Sequence, residues 1–169
     1  MTEAFFGAFF DTEQAVAWRE QLRAASKRVV FTNGCFDVLH VGHVEYLAWA
    51  RVQGDALIVG LNTDDSVRRL KGERRPITGL QDRARILLGL RSVDAVVPFT
   101  DRTPETLIDR LKPDVHVKSV QYREKDLPER TVVRSGGGTI AFAPHIARAS
   151  STETIATIVA RYCGDFERT

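Results

Sequence analysis

The sequence predicts an α/β domain built on a Rossmann-like, doubly wound parallel sheet of about five strands. Short apolar runs alternate with segments of helical periodicity along its 169 residues. The runs are almost wholly apolar, which is typical of strands that are covered on both faces of a sheet. Hydrophobic residues make up 43% of the chain, enough for the core of one domain of ordinary size.

Five runs rich in β-branched, aromatic and aliphatic residues are predicted as strands. They lie at residues 28–32, 56–61, 95–97, 115–117 and 139–142. An Asn33-Gly34 pair ends the first run, Pro98 ends the third, and a glycine triplet at residues 136–138 precedes the fifth. We predict the sheet order 3-2-1-4-5, which places the first and fourth strands side by side.

Helices are predicted on either side of these strands, because apolar residues recur there at spacings of three and four. They cover residues 12–26, 43–53, 65–70, 83–90, 103–111 and 150–162. The predicted capping residues are Asp64 or Asp65 for the third helix, Thr103 for the fifth, with Pro104 at its first position, and Ser150 or Ser151 for the last.

Composition and charge argue against several classes of protein. The net charge is only +2, so a strongly basic nucleic-acid binder is not expected. The sequence contains no run of about 18 apolar residues, the length needed to span a membrane. Its two cysteines are too few for a disulfide framework. We therefore expect a cytoplasmic protein without membrane or nucleic-acid partners, with an N-terminal helical extension over residues 1–26 and a domain over residues 27–169.

The run N-G-C-F-D-V-L-H-V-G-H after the first strand carries the strongest chemical signal. His40 and His43 lie at the opening of a predicted helix, where unpaired backbone N–H groups attract anions. Gly34 and Gly42 allow a ligand to approach the backbone closely. The sequence therefore predicts a phosphate site. The alternatives are a structural strand–helix junction and a metal site that also uses Cys35.

The stretch over residues 67–92 is the most basic part of the chain, with eight Lys or Arg against two acids, a local charge of +6. Lys71 lies in a loop that contains Gly and Pro, and we predict that it clamps a polyphosphate. Arg83 and Arg85 are instead predicted on a solvated helix face. Binding of nucleic acid by this stretch is the alternative interpretation.

Two further segments are predicted to meet this site. Lys118 follows the fourth strand, and the sheet order places it in one crevice with His40 and His43. Ser151 and Thr152 open the last helix, where hydroxyl groups act first as caps and also suit a phosphate.

Together these residues resemble the cytidylyltransferase-like nucleotidyltransferase superfamily of HxGH type, and within it the adenylyltransferase domain of ADP-heptose synthases. The pattern G-x-F-D-x-x-H-x-G-H is matched at every place, by Gly34, Phe36, Asp37, His40, Gly42 and His43. Further similarity to family elements covers residues 60–72, 75–77, 91–96, 103–108, 113–118 and 151–155.

The resemblance implies transfer of AMP from ATP to a heptose 1-phosphate, with release of pyrophosphate, by a homodimer that uses Mg²⁺. It implies His40, His43 and Lys118 as catalytic residues and Asp37 as the nearest candidate ligand of the metal ion. The nucleotide-binding residues that it implies are Asn33, Gly34, Cys35, Phe36, Asp37, Gly42, Asn62, Lys71, Arg75, Arg91, Ser151 and Thr152.

Two departures from the family pattern leave the acceptor open. Residues 118–122 read K-S-V-Q-Y where the heptose group has K-G-G-D-Y, and Glu153 replaces the second threonine of S-T-T-x-I. One alternative is a cytidylyltransferase that acts on glycerol 3-phosphate or another small phosphate or phosphonate. A second alternative is a nucleotide-binding regulator without turnover.

Overall fold

The computed structural model describes residues 7–123, 127–144 and 150–162. Its strands are β1 (Ala8–Phe9), β2 (Val29–Gly34), β3 (Ala56–Asn62), β4 (Ala95–Phe99), β5 (Val115–Ser119) and β6 (Thr139–Ala143). Its α-helices are α1 (Thr12–Ala24), α2 (Val41–Arg51), α3 (Asp64–Lys71), α4 (Leu80–Leu88), α5 (Glu105–Leu111), α6 (Glu129–Ser135) and α7 (Ser151–Tyr162). A single turn of 3₁₀ helix follows β5 at Val120–Tyr122.

The strands form one parallel sheet in the order β1-β4-β3-β2-β5-β6. The predicted order 3-2-1-4-5 corresponds to β4-β3-β2-β5-β6, so the fold class and this order are confirmed. The predicted number of strands was one too few, because Ala8 and Phe9 add a sixth strand beside β4. A strand of two residues has no periodicity that could reveal it in the sequence.

Several element boundaries differ from the prediction. Pro98 lies inside β4 instead of ending it, and α6 was not predicted at all. The N-cap of α3 is Thr63, one residue before the predicted caps, and the N-cap of α5 is Pro104. The predicted cap of the last helix is confirmed at Ser150, whose hydroxyl oxygen accepts a hydrogen bond from the backbone N–H of Glu153 at 3.1 Å.

Side chains that alternate along the strands fill two cores, one on each face of the sheet. One core packs against α2 and α4, and it includes Val30, Leu47, Leu57, Val59, Leu87 and Val96. The other packs against α1, α5 and α6, and it includes Ala15, Phe31, Ile58, Ile108, Leu111 and Val133. Coverage on both faces explains why the strands read as continuous apolar runs.

Part of the predicted N-terminal extension packs against the sheet. Arg19 on α1 is buried and donates to the carbonyl of Lys112 and to the carboxylate of Asp114. The domain boundary at residue 26 stays a prediction. Residues 1–6 of the predicted extension lie outside the described residues, as does Cys163, one of the two cysteines. None of the helices in the described ranges has the length and apolar character needed to cross a membrane.

Candidate active site

A cavity of about 660 Å³ opens at the carboxyl ends of β2, β3 and β5. Parallel strands place their ends at one edge of a sheet, so the segments that follow β2 and β5 meet there. Every predicted site residue except Arg91 lines the cavity: Asn33, Gly34, Cys35, Phe36, Asp37, His40, Gly42, His43, Asn62, Lys71, Arg75, Lys118, Ser151 and Thr152.

The loop from β2 to α2 is a strained turn that forms one wall of the cavity. Phe36 and Val38 adopt positive φ angles of 45° and 51°, which are uncommon for residues other than glycine. A Cβ atom on Gly34 would lie 3.0 Å from the Phe36 ring, so glycine suits that position. The hydroxyl of Ser151 donates to the carbonyl oxygen of Asp37, which joins the start of α7 to this loop.

His40 and His43 form a stacked pair at the start of α2, with ring centroids 3.8 Å apart. The edge of Phe36 packs against His43 at 5.2 Å. The Nδ1 atoms of both rings are buried and have no hydrogen-bond partner within the described part of the chain. No described group therefore fixes either ring through its Nδ1 atom.

Both imidazoles are neutral near pH 7. Burial lowers the pKa of His43 to about 4, with a further contribution from His40, while the Asp37 carboxylate opposes the shift. Burial also lowers the pKa of His40, and the charge of Glu153 opposes that shift. Each ring can thus donate one N–H to a phosphate without bringing a permanent positive charge to the site.

The buried Asp37 side chain holds the loop that leads to α4 by hydrogen bonds to its backbone. Its carboxylate oxygens accept from the backbone N–H groups of Ile77 and Thr78, both at 2.9 Å, and from the Arg75 guanidinium. Burial raises the pKa of this carboxyl, but these three donors outweigh it and leave the pKa below its usual value. Asp37 is therefore ionised, and both of its oxygens accept hydrogen bonds.

These contacts do not fit the predicted role of Asp37 as a metal ligand. Both of its oxygens already accept hydrogen bonds, and among the described residues no other carboxylate lines the cavity. No group of three or more His, Cys, Asp or Glu side chains in the described ranges is placed to hold a metal ion. The side chains of the described residues thus form no Mg²⁺ cage, and the use of Mg²⁺ stays a prediction from the resemblance.

Lys118 reaches the cavity from the end of β5, as the sheet order predicts. Its ammonium group donates to the carboxylate of Glu129 at 2.8 Å and to the side-chain oxygen of Asn33 at 3.3 Å. It also lies 5.1 Å from the centre of the Tyr122 ring. A positive charge is thereby held at the cavity wall.

The fold and the site agree with one comparison in particular. A family model described as cytidylyltransferase-like matches residues 31–137, well over half of the chain. The chain belongs to the cytidylyltransferase-like family. It is accordingly a nucleotidyltransferase, and the matched region runs from β2 through α6, which includes the histidine pair and Lys118.

Curated relatives of this cytidylyltransferase-like chain carry the name "Bifunctional protein HldE". The protein from Shewanella sediminis is 48% identical over 158 residues, which are 94% of this chain and 33% of the relative. The protein from Geobacter sulfurreducens is 49% identical over 140 residues, 83% of this chain and 29% of the relative. The chain spans about a third of the length of these relatives.

Two solved structures share the fold. A lipopolysaccharide core biosynthesis protein from Thermoplasma volcanium is 25% identical with a TM-score of 0.58, over 73% of this chain and 99% of that one. A pantoate-beta-alanine ligase from Francisella tularensis, solved with beta-gamma ATP and beta-alanine, is 14% identical with a TM-score of 0.61, over 96% of this chain and 80% of that one. The second likeness shows the fold alone.

Two arginines of this family member lie elsewhere than the sequence suggested, and for Arg83 the prediction was wrong. Arg83 does not lie on a solvated face; it is buried and donates to the carbonyls of Cys35 and Thr78 and to the carboxylate of Asp64. It fastens α4 to the cavity loop. Arg91 is exposed and does not line the cavity, because it precedes β4 and so lies at the amino ends of the strands, away from the cavity.

Sequence reasoning missed several residues of the cavity wall. Tyr46 lies one helical turn after His43, and this spacing could have revealed it. Its hydroxyl contacts the Thr32 hydroxyl and the Val117 carbonyl, and burial raises its pKa far above the usual range. The other cavity-lining residues absent from the predicted set are Leu70, Ser119, Gln121, Tyr122, Pro144 and Ser150.

The lowered pKa of His43 predicts how its removal changes stability at acid pH. Between pH 6.5 and about pH 4 the unfolded state binds a proton at His43 that the folded state refuses, so stability falls as the pH drops. The free energy of unfolding of the wild type falls over this pH interval because His43 titrates. In His43→Asn we expect this fall to be smaller by up to about 3 kcal/mol. Urea unfolding of both proteins at about pH 7 and about pH 4.5 measures it. Parallel losses in the two proteins would show that His43 is not a buried neutral group.

Proposed function

We propose that this nucleotidyltransferase transfers AMP from ATP to a sugar 1-phosphate, with heptose 1-phosphate as the acceptor, and releases pyrophosphate. The observation that carries the proposal is that His40, His43 and Lys118 line one cavity, together with Ser151 and Thr152 at the start of α7. Support for the sugar phosphate comes from the resemblance of the cavity-lining segments to ADP-heptose synthases and from the relatives named HldE.

The reaction needs no nucleophile from the protein. An oxygen of the acceptor phosphate forms a bond to the α-phosphorus of ATP, and the bond from that phosphorus to the bridging oxygen breaks as pyrophosphate leaves. The acceptor phosphate is already an anion, so no side chain has to remove a proton from it. The protein contributes alignment of the two substrates and stabilisation of the negative charge that develops on the phosphates.

The cavity residues suit these two tasks. The neutral rings of His40 and His43 would donate hydrogen bonds to the triphosphate at the start of α2, where backbone N–H groups also point to the ligand. Lys118 and Lys71 would supply positive charge at the cavity wall. Ser151, anchored to the Asp37 carbonyl, would place the start of α7 beside the phosphates.

One of the two departures from the heptose pattern, the K-S-V-Q-Y segment, lies at the cavity wall, and we propose that this wall is the acceptor side. Ser119, Gln121 and Tyr122 line the cavity next to Lys118, and all three present neutral polar groups. Such groups can bind hydroxyls of a sugar as well as those of glycerol. These side chains are compatible with the proposed heptose phosphate, and a comparison of turnover between acceptors distinguishes it from glycerol 3-phosphate.

A matrix of nucleotides against acceptors tests the proposal. Pyrophosphate release is measured with ATP, CTP, GTP and UTP, each with heptose 1-phosphate, another sugar 1-phosphate and glycerol 3-phosphate. We expect the highest kcat/KM for ATP with heptose 1-phosphate. Highest turnover with CTP and glycerol 3-phosphate would replace the proposal by its cytidylyltransferase alternative, and binding of ATP without pyrophosphate release from any pair would favour the regulator.

A further inference from the structure

A buried acidic residue lies behind Lys118, outside every motif that the sequence suggested. Glu129 is the first residue of α6 and is only 3% exposed. One of its carboxylate oxygens lies 2.8 Å from the Lys118 ammonium nitrogen. A carboxylate in this position costs desolvation energy, so its presence beside a cavity that should receive anions calls for a physical reason.

Strand geometry directs two side chains of β5 at this carboxylate. His116 and Lys118 are two residues apart, so both point to the same face of the sheet. The His116 ring is fully buried, stacks on Phe31 at 5.5 Å, and places Nε2 3.7 Å from the carboxylate of Glu129. Burial lowers the pKa of His116, so the ring is neutral and does not compete as a cation.

The Glu129 carboxylate is ionised and forms an ion pair with the Lys118 ammonium group. Burial alone raises the pKa of Glu129, but His116 and the charge and hydrogen bond of Lys118 outweigh it and hold this pKa at about 2. The Lys118 side chain is 12% exposed, and its ammonium group already donates to Glu129 and Asn33. An incoming phosphate must compete for it with a fixed negative charge.

We propose that Glu129 is a positioning residue of this site, a buried carboxylate that holds the Lys118 ammonium at the cavity wall and competes with substrate phosphates for it. The inference rests on the proposed nucleotidyl transfer to a phosphate acceptor. Fixed in this way, the ammonium does not follow the substrate phosphate in the ground state. It stays where negative charge grows in the transition state.

If Glu129 has this role, removing its charge should lower both kcat and the KM values. Replacing the carboxylate by an uncharged amide frees the ammonium to pair with bound phosphates, so substrates bind more tightly. The same change releases the ammonium from its transition-state position, so the chemical step slows. For Glu129→Gln we expect kcat to fall at least about tenfold and the KM values to fall about threefold. A residue with only a structural role would lower neither KM.

The experiment is a double-mutant cycle of Glu129→Gln and Lys118→Met, read by kcat and KM for pyrophosphate release. Glu20→Gln, an exposed glutamate on α1, is the matched control and should behave like the wild type. In the Lys118→Met background, Glu129→Gln should change kcat and KM by less than about twofold, because the residue acts through Lys118. Unchanged kcat and KM in Glu129→Gln, or equal losses in both backgrounds, would overturn the proposal.

Two further measurements cover the cases in which the cycle cannot be read. If the Gln variant does not fold, Glu129→Asp replaces it, because this change retains the charge and shortens the side chain. A kcat at least about threefold lower at wild-type KM then supports the role of Glu129, and a wild-type kcat overturns it. If the wild type releases no pyrophosphate with any substrate pair, the proposed function has failed. The affinity of the protein for inorganic pyrophosphate then tests the role of Glu129. Glu129→Gln should bind pyrophosphate about threefold more tightly, and only while Lys118 is present. Unchanged affinity would overturn the proposed role.

Discussion

Replacing His43 by alanine is expected to lower kcat by about 10²–10³-fold, by analogy with the loss of one preorganised hydrogen-bond donor to an oxyanion. The ring lies at the start of α2, stacked on His40 and held by the edge of Phe36. This packing fixes the ring before substrate arrives, so its hydrogen bond costs no reorganisation at the moment of reaction. The loss should fall on kcat and much less on the KM for ATP.

Pyrophosphate release by the purified variant measures this effect. Val44→Ala is the matched control, because Val44 is the next residue on α2 and its side chain is partly exposed. Thermal unfolding of both variants checks that the fold survives. Wild-type turnover in the His43→Ala protein would remove the histidine from the proposed reaction and would leave Lys118 and the start of α7 to account for catalysis.

Replacing Asp37 by asparagine is expected to destabilise the fold by about 3 kcal/mol or more, the usual cost of breaking a buried ion pair. The amide cannot accept hydrogen bonds from Arg75, Ile77 and Thr78 together, because its nitrogen is itself a donor. The loop over residues 75–78 would lose its attachment to the cavity wall. For a chain of this length the melting temperature should fall by about 5–10 °C.

Thermal unfolding near pH 7 measures the change, with Asp65→Asn as the control. Asp65 undergoes the same chemical change, but it is exposed, and its one ion pair with a described residue is with Arg68 on the helix surface. Exposed pairs of this kind contribute about 0–1 kcal/mol, so the control should melt within about 4 °C of the wild type. Equal melting temperatures for the two variants would show that the Asp37 contacts do not hold the loop.

Acid pH should weaken the same contacts in the unaltered protein. The pKa of Asp37 lies below its usual value in the folded state, so its stabilising contribution is complete above the usual carboxyl range and is lost as the pH falls through the folded pKa. Asp37→Asn removes the group that titrates. The difference in stability between the two proteins should therefore shrink towards acid pH.

The sheet and most of the cavity could be predicted because their signals are local. Strands covered on both faces show as apolar runs, and parallel topology brings the segments after β2 and β5 to one edge. The motif around His40 and His43 lies within a single loop and helix start. Lys118 needed only the strand order, which the pairing of β2 with β5 confirms.

The positions of Arg83 and Glu129 could not be predicted, because they depend on contacts between segments that are distant in the sequence. Arg83 reads as part of a solvated charged face, yet it is buried because the carbonyls of Cys35 and Thr78 and a carboxylate on α3 satisfy its guanidinium. Glu129 belongs to a helix of seven residues with no side-chain cap, so neither α6 nor its approach to Lys118 could be predicted. Periodicity reports which face is apolar, and it does not report which buried charge meets which partner.

The most direct test of the proposed transfer follows one oxygen atom. Heptose 1-phosphate carrying heavy oxygen in its phosphate is incubated with ATP and the enzyme, and the products are analysed by mass spectrometry. Attack at the α-phosphorus predicts a labelled adenosine diphosphate sugar and an equal amount of unlabelled pyrophosphate. Formation of ADP with a doubly phosphorylated sugar, or bound ATP that stays intact beside every acceptor, would contradict nucleotidyl transfer at this site.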